Sequence, residues 1–377
     1  MPKILVLCPY PQGVAAGQRL KYEQYLDDWR AAGFEVTVSS FMDMALWDRA
    51  YVPGHRLAKL VGTVRGHLRR LRDIARLRRY DVIYISMWVT PFGTTWTERL
   101  TRRRARRIVY DIEDNLLTED GAPNGLRQRL KGRGKTRFLL ERADHVITAS
   151  PFMVDRYRVR NAKGAVTLIY PSVDTDNFRP SAGPSAGDKP IIGWTGTFSS
   201  EPYLDLLRPV FQELARRVDF KLIVIGNFPY SLPGVDLEVL TWSRAEEVSQ
   251  MQRLDIGVYP LPNDDWVLGK AGLKVIQYMA FGLPSVSSNI GTATQQVTNG
   301  VNGFLVDNQE QWLDVLERLC RDPELRRRVG KAGRAEAIAR YSRQATSAKY
   351  LGVLRNTYGS PAITDDKVLR SDDRSHD

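Results

Sequence analysis

Three side chains in the second half of the sequence are spaced to hold an anion. Lys270, Lys274 and Gln277 fall at i, i+4 and i+7 within GKAGLKVIQYMAFGLPSVSS, so a helix here carries all three on one face near its N-terminus. Two lysines four residues apart repel each other. An anion between them turns that repulsion into attraction. The helix N-terminus adds unpaired N–H groups and a positive dipole end, which suits a phosphate. The alternative is an ordinary solvated lysine face. Gly282 and Pro284 predict where this helix stops and a strand begins.

A second anion site opens the same region. Ile191–Thr195 reads as a strand, followed by Gly196, Thr197, Phe198, Ser199 and Ser200 and then a helix from Glu201. A glycine there lets the backbone approach a ligand, and a serine can cap the helix. The beginning of the chain has a counterpart. Strand Ile4–Cys8 leads into a loop at Gly13–Gly17 and a helix containing Arg19 and Tyr22. Strand–loop–helix units are common, so this one also reads as a plain βα connection.

These residues need elements to hold them in place. Ile4–Cys8, Glu35–Ser39, Val82–Ser86, Arg107–Asp111, His145–Ala149 and Val166–Tyr170 are short apolar runs that predict strands. Helical patterns such as Arg19–Ala32 and Leu126–Arg142 separate them. The run PSAGPSAGDKP, Pro180–Pro190, is too poor in large apolar residues to bury and reads as a linker or surface loop. The alternation then restarts with Ile191–Thr195, Lys221–Gly226, Asp255–Tyr259 and Pro284–Ser288. Between these lie helical stretches at Glu201–Val218, Arg244–Gln252 and Ala271–Phe281, and Gln309–Arg321, Pro323–Arg340 and Arg343–Asn356 close the pattern. Two parallel α/β sheets joined by a linker are therefore expected, with ligands outside the carboxyl ends of the strands in a cleft between two lobes. The expected division is an N-terminal Rossmann-like domain at 1–180, a linker at 181–190, a C-terminal Rossmann-like domain at 191–342 and a disordered tail at 360–377.

Composition excludes several classes. The chain has 377 residues, 43% of them apolar and 26% charged, which rules out collagenous, coiled-coil and wholly disordered chains. Its only cysteines, Cys8 and Cys320, lie too far apart in sequence to suggest a disulfide framework. The four histidines show no metal-ligand spacing, so no metal site is expected. The first apolar run is too short for a signal peptide, and no run is long enough for a membrane span. A reduced cytoplasmic setting is expected, with attachment to the inner membrane face as an option.

The net charge of +12 is unevenly placed, because nearly all of the excess lies in the first 180 residues. Across residues 55–80, Leu57, Leu60, Val61, Val64, Leu68, Leu71 and Ala75 recur at helical spacing among many arginines. A basic amphipathic helix of this kind suits an anionic membrane surface. It also reads as a core-packed helix with a solvated arginine face. A second cluster, Arg102, Arg103, Arg104, Arg106 and Arg107, precedes the strand at Ile108. No aromatic-interleaved nucleic-acid module accompanies the charge, so no nucleic-acid partner is expected.

Taken together, GWTGT, VIGN (Val224–Asn227), DIGVYPLP (Asp255–Pro262), KVIQYMAFGLPSVSS, NGVNGFLV (Asn299–Val306) and YPSVDTDNF (Tyr170–Phe178) resemble glycosyltransferase family 4 on the GT-B fold. The resemblance runs over about residues 3–355. It implies a retaining, metal-independent transferase that uses no cofactor beyond a nucleoside-diphosphate sugar, UDP- or GDP-linked, as co-substrate. The donor would meet Gly196, Thr197, Asn227, Pro260, Lys270, Lys274 and Gln277. Lys270 and Lys274 would hold the diphosphate, with Gly196 and Thr197 as backbone donors. A glycan or polyprenyl- or other lipid-linked acceptor would meet Gly13, Gly17, Arg19 and Tyr22. Asp111 or Asp114, near Glu113, would contact the reacting sugar or acceptor hydroxyl, unless these carboxylates only cap a helix and pair with arginines. The last helix, 343–358, would pack back on the first domain. Two departures matter. Relatives often carry glutamates where this chain has Gly269 and Gln277, and a basic pair where it has TGTFSSEPY. An amide both donates and accepts, so Gln277 can still hold a ribose.

Three other readings fit parts of the same sequence. A metal-dependent transferase would use Asp174 and Asp176. A sugar-nucleotide epimerase would share the fold and need no acceptor. A non-catalytic membrane- or polyanion-binding protein would bind no nucleotide.

Overall fold

The computed structural model describes residues 1–50, 52–91, 93–112, 115, 133–181 and 189–359. Asp114, Glu113 and the tail 360–377 lie outside the described residues, as do positions 182–188 of the expected linker.

The first sheet contains β1 (Lys3–Cys8), β2 (Glu35–Ser40), β3 (Val82–Ser86), β4 (Ile108–Ile112), β5 (His145–Thr148) and β6 (Val166–Leu168), in the order β2-β1-β3-β4-β5-β6. The second contains β7 (Ile191–Thr195), β8 (Lys221–Ile225), β9 (Leu237–Leu240), β10 (Ile256–Tyr259), β11 (Ser285–Ser288) and β12 (Phe304–Val306), in the order β12-β11-β10-β7-β8-β9. Every pairing in both sheets is parallel. β3 and β4 are buried along their whole length, which is why they read as unbroken apolar runs rather than alternating ones. The topology has a consequence for ligand position. Chain order reverses between β1 and β3 in the first sheet and between β7 and β10 in the second. The crevice outside the strand ends at such a reversal is where doubly wound sheets bind ligands.

The chain forms two compact units. One holds Met1–Ile169 and the C-terminal helix from Ser347, and the other holds Tyr170–Thr346. The segment before the Pro180–Pro190 stretch belongs to the second unit for a local reason. Arg334 donates to the carbonyls of Thr175, Phe178 and Ala280, each at 2.6 Å. The ring of Phe178 lies 5.4 Å from that of Phe281. In the first unit, Tyr350, Val353 and Leu354 join the core formed by Tyr25, Trp29 and the sheet. Tyr350 packs 4.9 Å from Tyr25 between ring centroids, and Ser347 donates to Asp28 at 2.7 Å.

Three expected helices differ. Arg19–Ala32 is a helix at Ala16–Arg19, a tight turn at Glu23–Tyr25 and a helix at Leu26–Ala31. Glu201–Val218 is broken into Glu201–Leu204 and Arg208–Leu214, because Pro202 and Pro209 each sit in a first helical turn. Of Leu126–Arg142, the described part is the helix Arg133–Arg142.

The basic helix spans Arg56–Arg76, and its apolar stripe does not face the core. Its inner side carries Gly66, Arg70, Asp73 and Ile74. A Cβ at Gly66 would lie 2.7 Å from the Phe41 ring, so only glycine permits this approach. The leucines and valines of the stripe are exposed, Leu57 at 75% and Leu68 at 61%. Of the two readings of this stripe, the core-packed one is therefore overturned. Arg102 and Arg106 of the second cluster pair with Asp144 and Asp81 at 2.6 and 2.8 Å, so both serve the fold.

Candidate active site

In the second unit, the carboxyl ends of β7 and β10 flank the point where strand order reverses. Trp194 and Tyr259 stand at these ends, and the ammonium of Lys274 lies over both rings, 5.4 and 5.3 Å from their centroids. The ammonium of Lys270 lies 5.3 Å from the centre of the Tyr203 ring. Ring faces attract cations and hold them without neutralising their charge. Among the described residues neither lysine pairs with a carboxylate. Burial pushes the Lys274 ammonium down to about 8, and the nearby charge of Lys270 pushes in the same direction. The site thus presents concentrated positive charge with no counter-charge among the described residues.

The expected single helical face is corrected in one respect. The helix starts at Leu273, after Gly272 with φ +70°, and Lys270 precedes it at the end of the short turn Val267–Gly269. A side chain at Gly272 would be strained by that φ and would also strike Gln296. Lys274 and Gln277 share the helix. Lys270 is instead fixed through its carbonyl, which accepts from Thr292 at 2.6 Å. Gln277 is buried at 7% exposure, and its side chain makes no hydrogen bond among the described residues. It offers an unspent donor and acceptor beside Lys274.

The other donor positions divide. The N–H of Gly196 donates to Ile225 at 3.0 Å, so it is not a free donor for a phosphate, contrary to expectation. Thr197 is exposed, and its hydroxyl is bonded to that of Ser199 at 2.8 Å. Asn227 is exposed just past β8, and Pro260 is buried just past β10.

In the first unit the expected acceptor loop is internally braced. Gly13 donates to Glu23 at 2.9 Å, and Gln18 donates to Tyr10 and Glu23 at 3.1 and 2.9 Å. Gly17 is exposed and Arg19 half-buried. Tyr22 corrects the expectation of an acceptor contact, since it is fully buried 5.2 Å from the Tyr84 ring. Asp111 is also corrected. Its carboxylate is 1% exposed and accepts from both Lys21 and the Tyr84 hydroxyl. The buried ends of β3 and β4 leave it no open face, so it holds Lys21 rather than a sugar. Asp174, half of the rival metal motif, caps the backbone of Asp176 at 3.1 Å.

Two features had no clear sequence signal. Met87, at the end of β3, adopts φ +63°, a strained value for a residue with a side chain. Its N–H donates to the backbone carbonyl of Asp111 at 3.0 Å, and its own carbonyl accepts from the Tyr110 hydroxyl at 2.9 Å. Arg70, on the basic helix, is a fully buried cation that donates to the carbonyls of Cys8, Ser39 and Val89 at 2.6, 2.9 and 2.8 Å. Trp194 and Tyr259 were visible, within GWTGT and DIGVYPLP, but not as a cage for a lysine.

Two doubly wound sheets, with a lysine pair at one reversal point that meets no carboxylate among the described residues, define a two-domain α/β protein. Residues 17–171 match the Glycosyl transferase 4-like domain, and residues 176–336 match the Glycosyl transferases group 1 family. The chain belongs to the family-4-like GT-B glycosyltransferases. It is 26% identical over 325 residues to a D-inositol 3-phosphate glycosyltransferase of Arthrobacter sp. (strain FB24), covering 76% of this chain and 72% of that one. It is 27% identical over 264 residues to a GDP-mannose-dependent alpha-(1-6)-phosphatidylinositol monomannoside mannosyltransferase of Mycolicibacterium smegmatis, covering 63% and 67%. Its fold is similar to sucrose-phosphate synthase from Thermosynechococcus elongatus, with TM-score 0.72, 18% identity and 94% and 99% coverage. It is also similar to Anabaena HepE in complex with UDP and glucose, with TM-score 0.67, 17% identity and 94% and 100% coverage.

The Lys274 environment sets a pH dependence. A folded value near 8 lies below the ordinary 10.5, so the unfolded chain binds more protons between these values. This residue's contribution to stability therefore rises with pH across that window. A bound diphosphate favours the charged form. Affinity for any nucleoside diphosphate held by this ammonium would therefore fall as pH rises through about 8, with proton uptake on binding. Calorimetry in buffers of different ionisation enthalpy measures both, and a flat profile without proton uptake would contradict the assignment.

Proposed function

We propose that this glycosyltransferase moves a sugar from a nucleoside-diphosphate donor, UDP- or GDP-linked, to a glycan or lipid-linked acceptor. The observation that carries this reading is the Lys270/Lys274 pair, held over aromatic rings without a carboxylate partner among the described residues. The two ammonium groups neutralise the charge that builds on the diphosphate as the sugar leaves, which lowers the barrier to departure. Gln277 is placed to bond the donor's hydroxyls. Arg19 and the Gly13–Gly17 loop are the acceptor side, with Lys21 held by Asp111 behind them. Retention and independence from metal follow the family resemblance. The names of the relatives, with UDP, GDP-mannose and inositol-type acceptors, support this donor class and acceptors of the cell-surface glycan or glycolipid kind. Transfer of labelled sugar from UDP- and GDP-sugars, with and without EDTA, tests it. Metal-independent product from one donor is expected. Donor isomerisation without an acceptor would favour the epimerase instead.

The helix Arg56–Arg76 supports a peripheral position on an anionic membrane, on the cytoplasmic face. No described helix is long and apolar enough to cross a bilayer. The exposed leucines would enter the interface while the arginines meet lipid phosphates. Serine at both Leu68 and Leu71 is expected to weaken sedimentation with phosphatidylglycerol vesicles by about tenfold or more, from lost apolar burial. Unchanged sedimentation would remove the membrane reading.

A further inference from the structure

A polar cleft lies in the first unit. It runs between edge strand β2 and the inner flank of the basic helix and has a volume of about 290 Å³. Thr37, Ser40 and Tyr80 line it, together with Arg69, Arg72 and Arg76. The three arginines recur at helical spacing, so they form one row. The charges in the cleft are not balanced. Arg69 is spent on the carbonyls of Ser40 and Phe41 at 2.9 and 3.0 Å, with Asp43 at 3.8 Å. The one carboxylate lining the cleft, Asp73, already accepts from Ser39 at 2.6 Å and pairs with Arg70 at 3.2 Å. Arg72 and Arg76 are four residues apart and repel each other. Neither has a carboxylate partner among the described residues. Guanidinium forks beside hydroxyls match the geometry of a phosphate oxyanion.

We propose that this cleft binds a phosphate group through Arg72 and Arg76, with Arg69 and the Thr37 and Ser40 hydroxyls completing its surroundings. Neither the two lysines of the second unit nor any residue of the Gly13–Gly17 loop lines it. The exposed stripe of Leu60, Val64, Leu68 and Leu71 occupies the neighbouring side of the same helix. A lipid headgroup phosphate would reach the cleft when that stripe lies on a membrane. A free phosphate or phosphate monoester would reach it from solution. The site itself stands on the arginine row, and only the lipid source rests on the membrane reading.

The test compares four full-length proteins: wild type, Arg72→Ala/Arg76→Ala, Leu68→Ser/Leu71→Ser, and Arg78→Ala/Arg79→Ala. The last pair removes the same charge from exposed positions that do not line the cleft. Each is titrated with inorganic phosphate at constant ionic strength, followed by thermal shift. Each is then mixed with vesicles of phosphatidylcholine alone or with phosphatidylglycerol. Saturable stabilisation by phosphate is expected in wild type and in the Leu68/Leu71 and Arg78/Arg79 variants, and is lost in the Arg72/Arg76 variant. For phosphatidylglycerol vesicles, the Arg72/Arg76 change should weaken binding by about 30-fold, as two basic residues at an anionic surface predict, and by clearly more than the Arg78/Arg79 change. Phosphate binding in solution without this vesicle difference identifies a free phosphate as the source. Phosphate stabilisation equal in all four proteins, or in none, overturns the proposal. If only the Leu68/Leu71 variant keeps full vesicle binding, the membrane reading fails and the cleft does not.

Discussion

Alanine at both Lys270 and Lys274 is expected to lower sugar transfer by at least about 1,000-fold, because each group stabilises charge that appears only as the diphosphate departs. The fold should survive. The two ammonium groups make no ion pair among the described residues, and Lys274 is charged only against the cost of its burial. Removing them leaves no carboxylate stranded and relieves a repulsion. Melting temperature is therefore expected to stay at or slightly above that of the parent protein. Loss should fall on kcat more than on KM if the charges act mainly on departure, and on both if they also hold the ground-state donor. Lys274→Arg is an informative companion. It keeps the charge but widens the group that the Trp194 and Tyr259 rings enclose, so partial activity is expected. Near-parental rates in the double alanine variant would show that the diphosphate is held elsewhere.

Arg70→Met is expected to cost about 3–5 kcal/mol of stability, the range seen when one partner of a buried ionic arrangement is removed. The guanidinium is fully buried and joins the ends of β1 and β2 to the segment after β3 through Cys8, Ser39 and Val89. Methionine fills the stem's volume but leaves three carbonyls without that donor and Asp73 with only the Ser39 hydroxyl. Chemical denaturation should show a lower midpoint with an unchanged slope. A loss under about 1 kcal/mol would mean that water replaces the lost bonds. Arg70 is therefore unsuitable for testing membrane contact, although it sits among the arginines of an amphipathic helix. Its loss would weaken vesicle binding by unfolding the first unit rather than by removing surface charge.

That residue illustrates the limit of a one-dimensional reading. Hydrophobic periodicity correctly located ten of the strands, because parallel strands buried on both faces form dense apolar runs. It missed Leu237–Leu240 and Phe304–Val306, the short outermost strands of the second sheet, where burial is incomplete. Periodicity also assigned the stripe on helix Arg56–Arg76 without telling which side faces inward. That depended on Gly66 approaching Phe41, a contact no spacing reveals. At the candidate site, lysine spacing drew attention to the right segment. The positive φ of Gly272 then removed Lys270 from the helix, while the rings of Tyr203, Trp194 and Tyr259 gathered both lysines from distant sequence positions. Asp111 and Tyr22 looked like cleft groups because they follow strands and loops. Burial made them internal supports instead.

The central claim is that Lys270 and Lys274 receive the diphosphate of the donor. Calorimetric titration of the protein and its Lys274→Ala variant with UDP and GDP, each with and without EDTA, tests it most directly. Selective binding of one diphosphate is predicted, unaffected by EDTA and weakened by about 100-fold or more in the variant, as expected for loss of a charge-assisted contact worth about 3 kcal/mol. Equal affinity in both proteins, or no binding of either nucleotide by the parent, would contradict it.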